Sequence, residues 1–181
     1  MNLSECFTYK GDTLYCESVD LSKLPDLAPA SEHGVTTPLY VYSKQQILAN
    51  IRGYKTSFAG RANVIGFSMK ANPNADILRL MLTEGASIVA VSGFEIRLAL
   101  DVGFPGSRIY FNGNGKQDWE MRLAIERGCV MNVDSVFNAR QLVKIVGEIG
   151  RKIDVTLRLN VDIETQVHPY LKTGRLLFAS I

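Results

Sequence analysis

Lys70 closes the apolar run Val64-Ile65-Gly66-Phe67-Ser68-Met69-Lys70 and is followed at once by Ala71-Asn72-Pro73-Asn74. The run reads as a strand buried on both faces, as in a parallel sheet, and Asn-Pro-Asn as the turn that starts a helix. The ammonium then lies at the strand's C-terminal mouth, where parallel α/β folds bind ligands. An amine partly withdrawn from water there is a competent nucleophile for Schiff-base formation. The plainer alternative is a lysine snorkelling out of a strand end.

Other polar groups gather at the ends of similar runs. Ser92-Gly93-Phe94-Glu95 places a hydroxyl at a helix start and a carboxylate one turn in, which is also the pattern of an ordinary cap. Arg158 closes Val155-Thr156-Leu157, and its partner could be a phosphate, a substrate carboxylate or a neighbour such as Glu95. Asn112-Gly113-Asn114-Gly115-Lys116 resembles a phosphate-cradling loop before a helix start, but lacks the GxxxxGK[ST] spacing and reads equally well as a βα turn. His168, in His168-Pro169-Tyr170, is a lone histidine in a polar stretch. No His/Cys/carboxylate cluster has metal-ligand spacing and no Ser/His/Asp arrangement is visible, which leaves lysine chemistry or no catalysis.

The elements that must position these residues recur serially. Strand candidates open near Val64, Ile88, Ile109, Val130 and Val155, about 21 to 25 residues apart. Helical periodicity fills the intervals over Ala75 to Glu84, Gly93 to Val102, Gln117 to Arg127 and Ser135 to Gly150, with Asp118 and Ser135 as N-caps. This is βα architecture, either a doubly wound open sheet or a (β/α)8 barrel. A barrel needs about 200 residues or more, so a barrel here is unfinished. No GxGxxG follows the first strand, which leaves a dinucleotide site unsupported. Upstream, Phe7 to Val19 suggests a small hairpin around Gly11-Asp12, Leu24 to Thr37 a link, Thr37 to Tyr42 a short strand, and Gln45 to Phe58 a helix capped by Ser43 and closed by Gly60.

The 181 residues, 46% hydrophobic and 21% charged, suit one globular domain. A net charge of +2 with no basic block argues against nucleic acid or a membrane surface as partner. Cys6, Cys16 and Cys129 form no CxxC pair, which fits reduced thiols in a cytoplasmic protein. No signal peptide or membrane-length apolar stretch is visible, so an unexported, soluble protein is expected.

Together, Thr37-Pro38-Leu39-Tyr40-Val41-Tyr42, Phe67-Ser68-Met69-Lys70-Ala71-Asn72, Val91-Ser92-Gly93-Phe94-Glu95, Asn112-Gly113-Asn114-Gly115-Lys116, Met131-Asn132-Val133-Asp134-Ser135, Leu157-Arg158-Leu159-Asn160, and His168-Pro169-Tyr170 with Thr173-Gly174 resemble the diaminopimelate decarboxylases. These are fold type III, pyridoxal-phosphate-dependent enzymes related to the ornithine and arginine decarboxylases. The resemblance implies a partial (β/α)8 barrel of about five βα units over residues 37–181. It also implies that residues 1–36 hold a β segment, belonging to a second β-rich domain, and a linker. By the same resemblance Lys70 is the catalytic Schiff-base lysine holding pyridoxal 5'-phosphate, Ser92 and Glu95 line the mouth, and Arg158 faces the cofactor. The reaction implied converts meso-diaminopimelate to L-lysine and carbon dioxide, usually in a homodimer.

Many members carry an aspartate where this chain has Val89, and Arg175 to Ile181 do not continue the family's Lys-Phe-Gly stretch. The ring-stacking histidine, glycine-rich phosphate loop, acidic partner of the pyridine nitrogen and partner-subunit segment are not found. The chain therefore reads as an N-terminal half with little activity alone. Alternatives are a non-catalytic fragment pairing with a full-length homologue and another decarboxylase of the same fold, of ornithine or arginine type.

Overall fold

The computed structural model describes residues 5–24 and 38–159, which fall in two compact units divided between Asn63 and Val64. In the first, β1 (Phe7–Lys10), β2 (Thr13–Cys16) and β3 (Val19–Asp20) form an antiparallel sheet in the order β1-β2-β3. The expected hairpin thus has a third strand. Glu17 interrupts it at φ 56°, a left-handed conformation costly for a residue with a side chain. Its carboxylate accepts from the Gln45 amide at 2.8 Å and the Ser43 hydroxyl at 2.7 Å, at the start of helix α1 (Lys44–Ser57). These two bonds, the Gln45 amide first, hold the Glu17 carboxyl below the usual carboxylate range. Ser43 is the N-cap expected, accepting from the Gln46 amide. The strand expected over Thr37 to Tyr42 is absent from residues 38–42, which pair with no strand among the described residues and leave Tyr40 90% exposed.

The second unit is the βα series. Five strands, β4 (Gly66–Ser68), β5 (Ser87–Ala90), β6 (Ile109–Phe111), β7 (Val130–Val133) and β8 (Val155–Leu157), lie parallel in sequence order. Helices α2 (Ala75–Thr83), α3 (Gly93–Val102), α4 (Asp118–Glu126) and α5 (Val136–Ile149) join them. The five expected strands and four helices are all present. One cap differs: Gln117 holds the N-cap position of α4, and Asp118, one residue in, accepts instead from Gln141 Nε2 at 2.6 Å.

Alternation along the strands corrects the expectation of burial on both faces. Ile88, Ala90, Ile109, Phe111 and Met131 are at most 1% exposed and pack under the helices with Leu78, Ile96, Met121 and Ile145. Each such large aliphatic or aromatic side chain contributes about 1.5 to 3 kcal/mol. The opposite face carries Gly66, Val89, Tyr110, Asn112, Asn132 and Thr156, none of them buried. It is more polar and more exposed than a sheet face covered by a second helix layer would be. It is the lumen side of a barrel wall.

Close packing is tightest where backbones cross. A Cβ built on Gly106 would stand 1.8 Å from the Arg127 carbonyl oxygen, whereas one on Gly147, in the last turn of α5, meets nothing within 4 Å. Gly106→Ala should therefore cost about 3 kcal/mol, and Gly147→Ala should be neutral or slightly stabilising; urea denaturation of both variants measures the contrast. Burial at Cys129 supplies a pH-dependent test. Its thiol is pushed up to about 11, chiefly by desolvation. Between about pH 9 and 11 the native state keeps a proton that the unfolded chain releases, so stability falls as pH rises through this window. The loss attributable to Cys129 is about 2 to 3 kcal/mol, and Cys129→Ala should flatten the slope of unfolding free energy against pH there.

Candidate active site

All five strands point the same way, so the segments following β4, β5, β6, β7 and β8 share one edge of the sheet. Lys70, Ser92 and Arg158 fall on that edge, and Glu95 lies in the first turn of α3. The local geometry of each differs from a simple strand-end reading.

The strand before Lys70 stops at Ser68, and Met69–Ala71 forms a 3-10 turn. The turn buries Met69 completely and leaves Lys70 exposed, not desolvated. Asn72 and Asn74 then direct the chain into α2. Asn72 Oδ1 accepts from the Asn74 amide at 3.0 Å, and Asn74 Oδ1 from those of Asp76 and Ile77 at 2.9 and 3.4 Å.

Ser92 caps α3, its hydroxyl accepting from the Glu95 amide at 3.3 Å. Glu95 Oε2 reaches back to the Val91 amide at 2.7 Å. Two residues on, the Gly93 amide donates at 2.7 Å to the buried Glu120, whose other oxygen accepts from the Gln117 amide at 2.9 Å. One carboxylate thus ties the starts of α3 and α4 together, where it also complements the positive helix ends. A Cβ at 93 would meet the Trp119 ring at 2.5 Å, so a larger residue there would have to displace that ring.

Arg158 follows β8 directly and its amide donates to the Val133 carbonyl at 2.8 Å. Its side chain is exposed, and its positive charge is felt at Lys116, where it adds slightly to the lowering of that residue's pKa.

The loop Asn112 to Lys116 is not an open anion cradle. Lys116 turns inward, its side chain 1% exposed, and donates to the Gly113 carbonyl, to Asp134 Oδ2 at 3.2 Å and to Asn138 Oδ1 at 3.2 Å. Three acceptors match the three donors of an ammonium. Burial pulls the Lys116 pKa below the ordinary lysine range, with Asp134 opposing. Gly113 lets this loop approach the end of β5, where a Cβ would lie 3.1 Å from the Val91 carbonyl.

On the lumen face of the sheet is a cavity of about 270 Å³ lined by Val64, Gly66, Val89, Tyr110, Asn112, Asn132 and Thr156. None of Lys70, Ser92, Glu95 and Arg158 lines it. Its polar wall is a ladder across three strands: Asn132 Nδ2 donates to Asn112 Oδ1 at 2.8 Å, and Thr156 Oγ1 to Asn132 Oδ1 at 3.3 Å. Sequence reasoning did not single these side chains out, although a polar residue alternating with apolar neighbours in Phe111-Asn112, Met131-Asn132-Val133 and Val155-Thr156-Leu157 was a readable signal. The pairing of Lys116 with Asp134 had no such signal, because only the fold brings the two loops together.

Among the described residues no helix is long and apolar enough to cross a membrane, and no group of His, Cys, Asp or Glu could hold a metal ion. His168, Asn160 and the segment from Thr173 onward lie outside the described residues.

The buried pair gives a direct test. Lys116→Met leaves the Asp134 carboxylate nearly buried without its cation and should destabilise the chain by about 3 kcal/mol. Adding Asp134→Asn should restore part of that loss, and a double-mutant cycle on denaturation free energies reads the coupling.

Residues 44–176 match the family described as pyridoxal-dependent decarboxylase, pyridoxal binding domain. A probable chloroplastic diaminopimelate decarboxylase of rice is 41% identical over 93% of this chain and 34% of its own length. The diaminopimelate decarboxylase of Pseudomonas aeruginosa is 36% identical over 94% of this chain and 40% of its own. The crystal structure of diaminopimelate decarboxylase from M. jannaschii in complex with L-lysine superposes with a TM-score of 0.80 at 28% identity, covering 94% of this chain and 41% of that one. The chain thus spans between a third and two-fifths of the length of these relatives. With five parallel strands and the four helices that join them in order, and a family match over most of its length, the chain belongs to the pyridoxal-dependent decarboxylases, matching their pyridoxal-binding domain.

Proposed function

We propose that this chain provides the lysine-bearing side of a pyridoxal-phosphate-dependent amino-acid decarboxylase that converts meso-diaminopimelate to L-lysine and carbon dioxide. The observation that carries the reading is the common strand-end edge that gathers Lys70, Ser92 and Arg158, in a chain whose family binds pyridoxal. Diaminopimelate is favoured because the relatives reported above bear that name.

The residues present fit the cofactor's needs on this side. Lys70 offers an exposed amine for an aldehyde on the strand-end edge of a sheet whose lumen-side cavity is apolar at Val64 and Val89 and polar at Asn112 and Asn132. When bound, pyridoxal phosphate supplies an electron sink for the electron pair left as the α-carboxylate departs. Lys70 holds the ligand, and its amine accepts and returns the proton that exchange with a substrate amine requires. Ser92 and Glu95, fixed by the first turn of α3, wall the mouth beside the following loop. Arg158 offers a guanidinium to an anionic group of ligand or substrate. Val89 stands where an acid is common in the family, so the wall beside Lys70 is neutral.

The described residues hold five of the eight strands that close a (β/α)8 barrel. The 181-residue polypeptide tested by itself should therefore decarboxylate diaminopimelate poorly, and pairing with a second chain is part of the proposal. A cytosolic location rests on three free cysteines.

Labelling tests the lysine separately from turnover. Incubated with substoichiometric pyridoxal phosphate and reduced with borohydride, the chain should carry a pyridoxyl group on the peptide containing Lys70, and Lys70→Ala should lose it. Label spread evenly over surface lysines, or unchanged in Lys70→Ala, would sink the assignment.

A further inference from the structure

The strand register fixes which side chains share a level on the lumen face. Ser68 pairs with Val89, Val89 with Tyr110 and Tyr110 with Val130. Two residues beyond that row lie Val91, Asn112 and Asn132, and Asn132 pairs with Thr156, whereas β4 has already given way to the turn Met69–Ala71 that carries Lys70. The hydrogen-bonded ladder therefore lies toward the strand ends, the edge on which Lys70 also falls, two and more strands away from it.

The ladder has a direction. The Thr156 hydroxyl donates to the Asn132 carbonyl oxygen, and the Asn132 amide donates to that of Asn112. This chain ends on the Asn112 NH2 group, whose donors have no partner among the described residues. Asn112 is half-buried and lines the cavity, as does Tyr110. The β4–β5 side of the same cavity is apolar: Val89 covers Gly66 so closely that a Cβ there would stand 2.8 Å from a Val89 methyl.

We infer that Asn112, oriented by Asn132 and Thr156, is a positioning residue that donates a hydrogen bond to the ring oxygen of the pyridoxal ligand held by Lys70. The inference rests on the function proposed above. The chemistry of the lining selects the oxygen. No cation lines the cavity, so it does not suit a doubly charged phosphate. A carboxamide donor beside a valine wall suits instead a flat ring bearing a phenolic oxygen, and in pyridoxal phosphate that oxygen is on the ring carbon next to the aldehyde-bearing one. Reaction of the aldehyde with Lys70 therefore keeps this oxygen on the lysine's side of the ring. A bond to such an oxygen favours its ionised form, so the residue tunes the ligand's charge as well as its position.

The test uses the full chain, pyridoxal phosphate, and the variants Asn112→Asp, Asn112→Ala and Thr156→Val, with folding checked by circular dichroism. Asn112→Asp keeps the shape and replaces donors by a negative acceptor. Asn112→Asp and Asn112→Ala should weaken cofactor binding about tenfold, lower the yield of reduced label on Lys70, and raise the pH at which the absorbance of the bound cofactor changes. Thr156→Val, which removes only the far donor of the ladder, should shift the same transition less and in the same direction. If an Asn112 variant does not fold, Thr156→Val carries the test. Wild-type affinity and an unmoved spectral transition in every folded variant would overturn the inference while leaving Lys70 labelling intact. Failure of the wild-type chain to label at Lys70 overturns the functional reading itself.

Discussion

The parallel register of β4 to β8 is the constraint on which everything else depends. Because side chains alternate across a sheet, one set of positions must satisfy the helices and the other the lumen. The helix side is filled by Ile88, Ile109, Phe111 and Met131, which are essentially inaccessible to water. That demand fixes the phase of every strand and leaves the lumen side free to carry Asn112, Asn132 and Thr156. A slip of one residue would bury the amides under the helices and turn the core into the cavity, an exchange too costly to compete. The chemistry of the mouth is therefore a by-product of hydrophobic registration.

Above the sheet, the loops are held by charges and polar groups that no periodicity announces. Glu120 joins the starts of α3 and α4, and Lys116 joins the loop after β6 to the turn before α5. Both lie near the edge bearing Lys70, Ser92 and Arg158. The helices thus bring the strand-end segments together, and two buried ionic groups fix how they sit.

The sequence made the serial architecture legible because strand and helix periods are local. All five strands and the helix spans were readable to within a few residues, as were the capping roles of Ser43 and Ser135 and of Asn and Gly at turns. The exact end of β4 was not, since whether Met69 continues a strand or turns inward depends on the pocket that buries it. Thr37 to Tyr42 has strand-like composition, yet composition alone does not form a strand without a ladder to join. Lys70 stood out because a charge closing an apolar run conflicts with its surroundings. The inward turn of Lys116 was not legible, because Gly-rich loops leave side-chain direction to tertiary partners, here Asp134 and Asn138, which are 18 and 22 residues away.

The fate of the Lys116 ammonium bears on how the mouth meets a ligand. A loop whose only cation waits for an anion must be ordered by that anion, and part of the binding energy goes into freezing the loop. Here the cation already has three protein acceptors, so the loop takes its shape during folding. A ligand arriving at the strand ends meets, at this loop, a backbone already held by protein contacts.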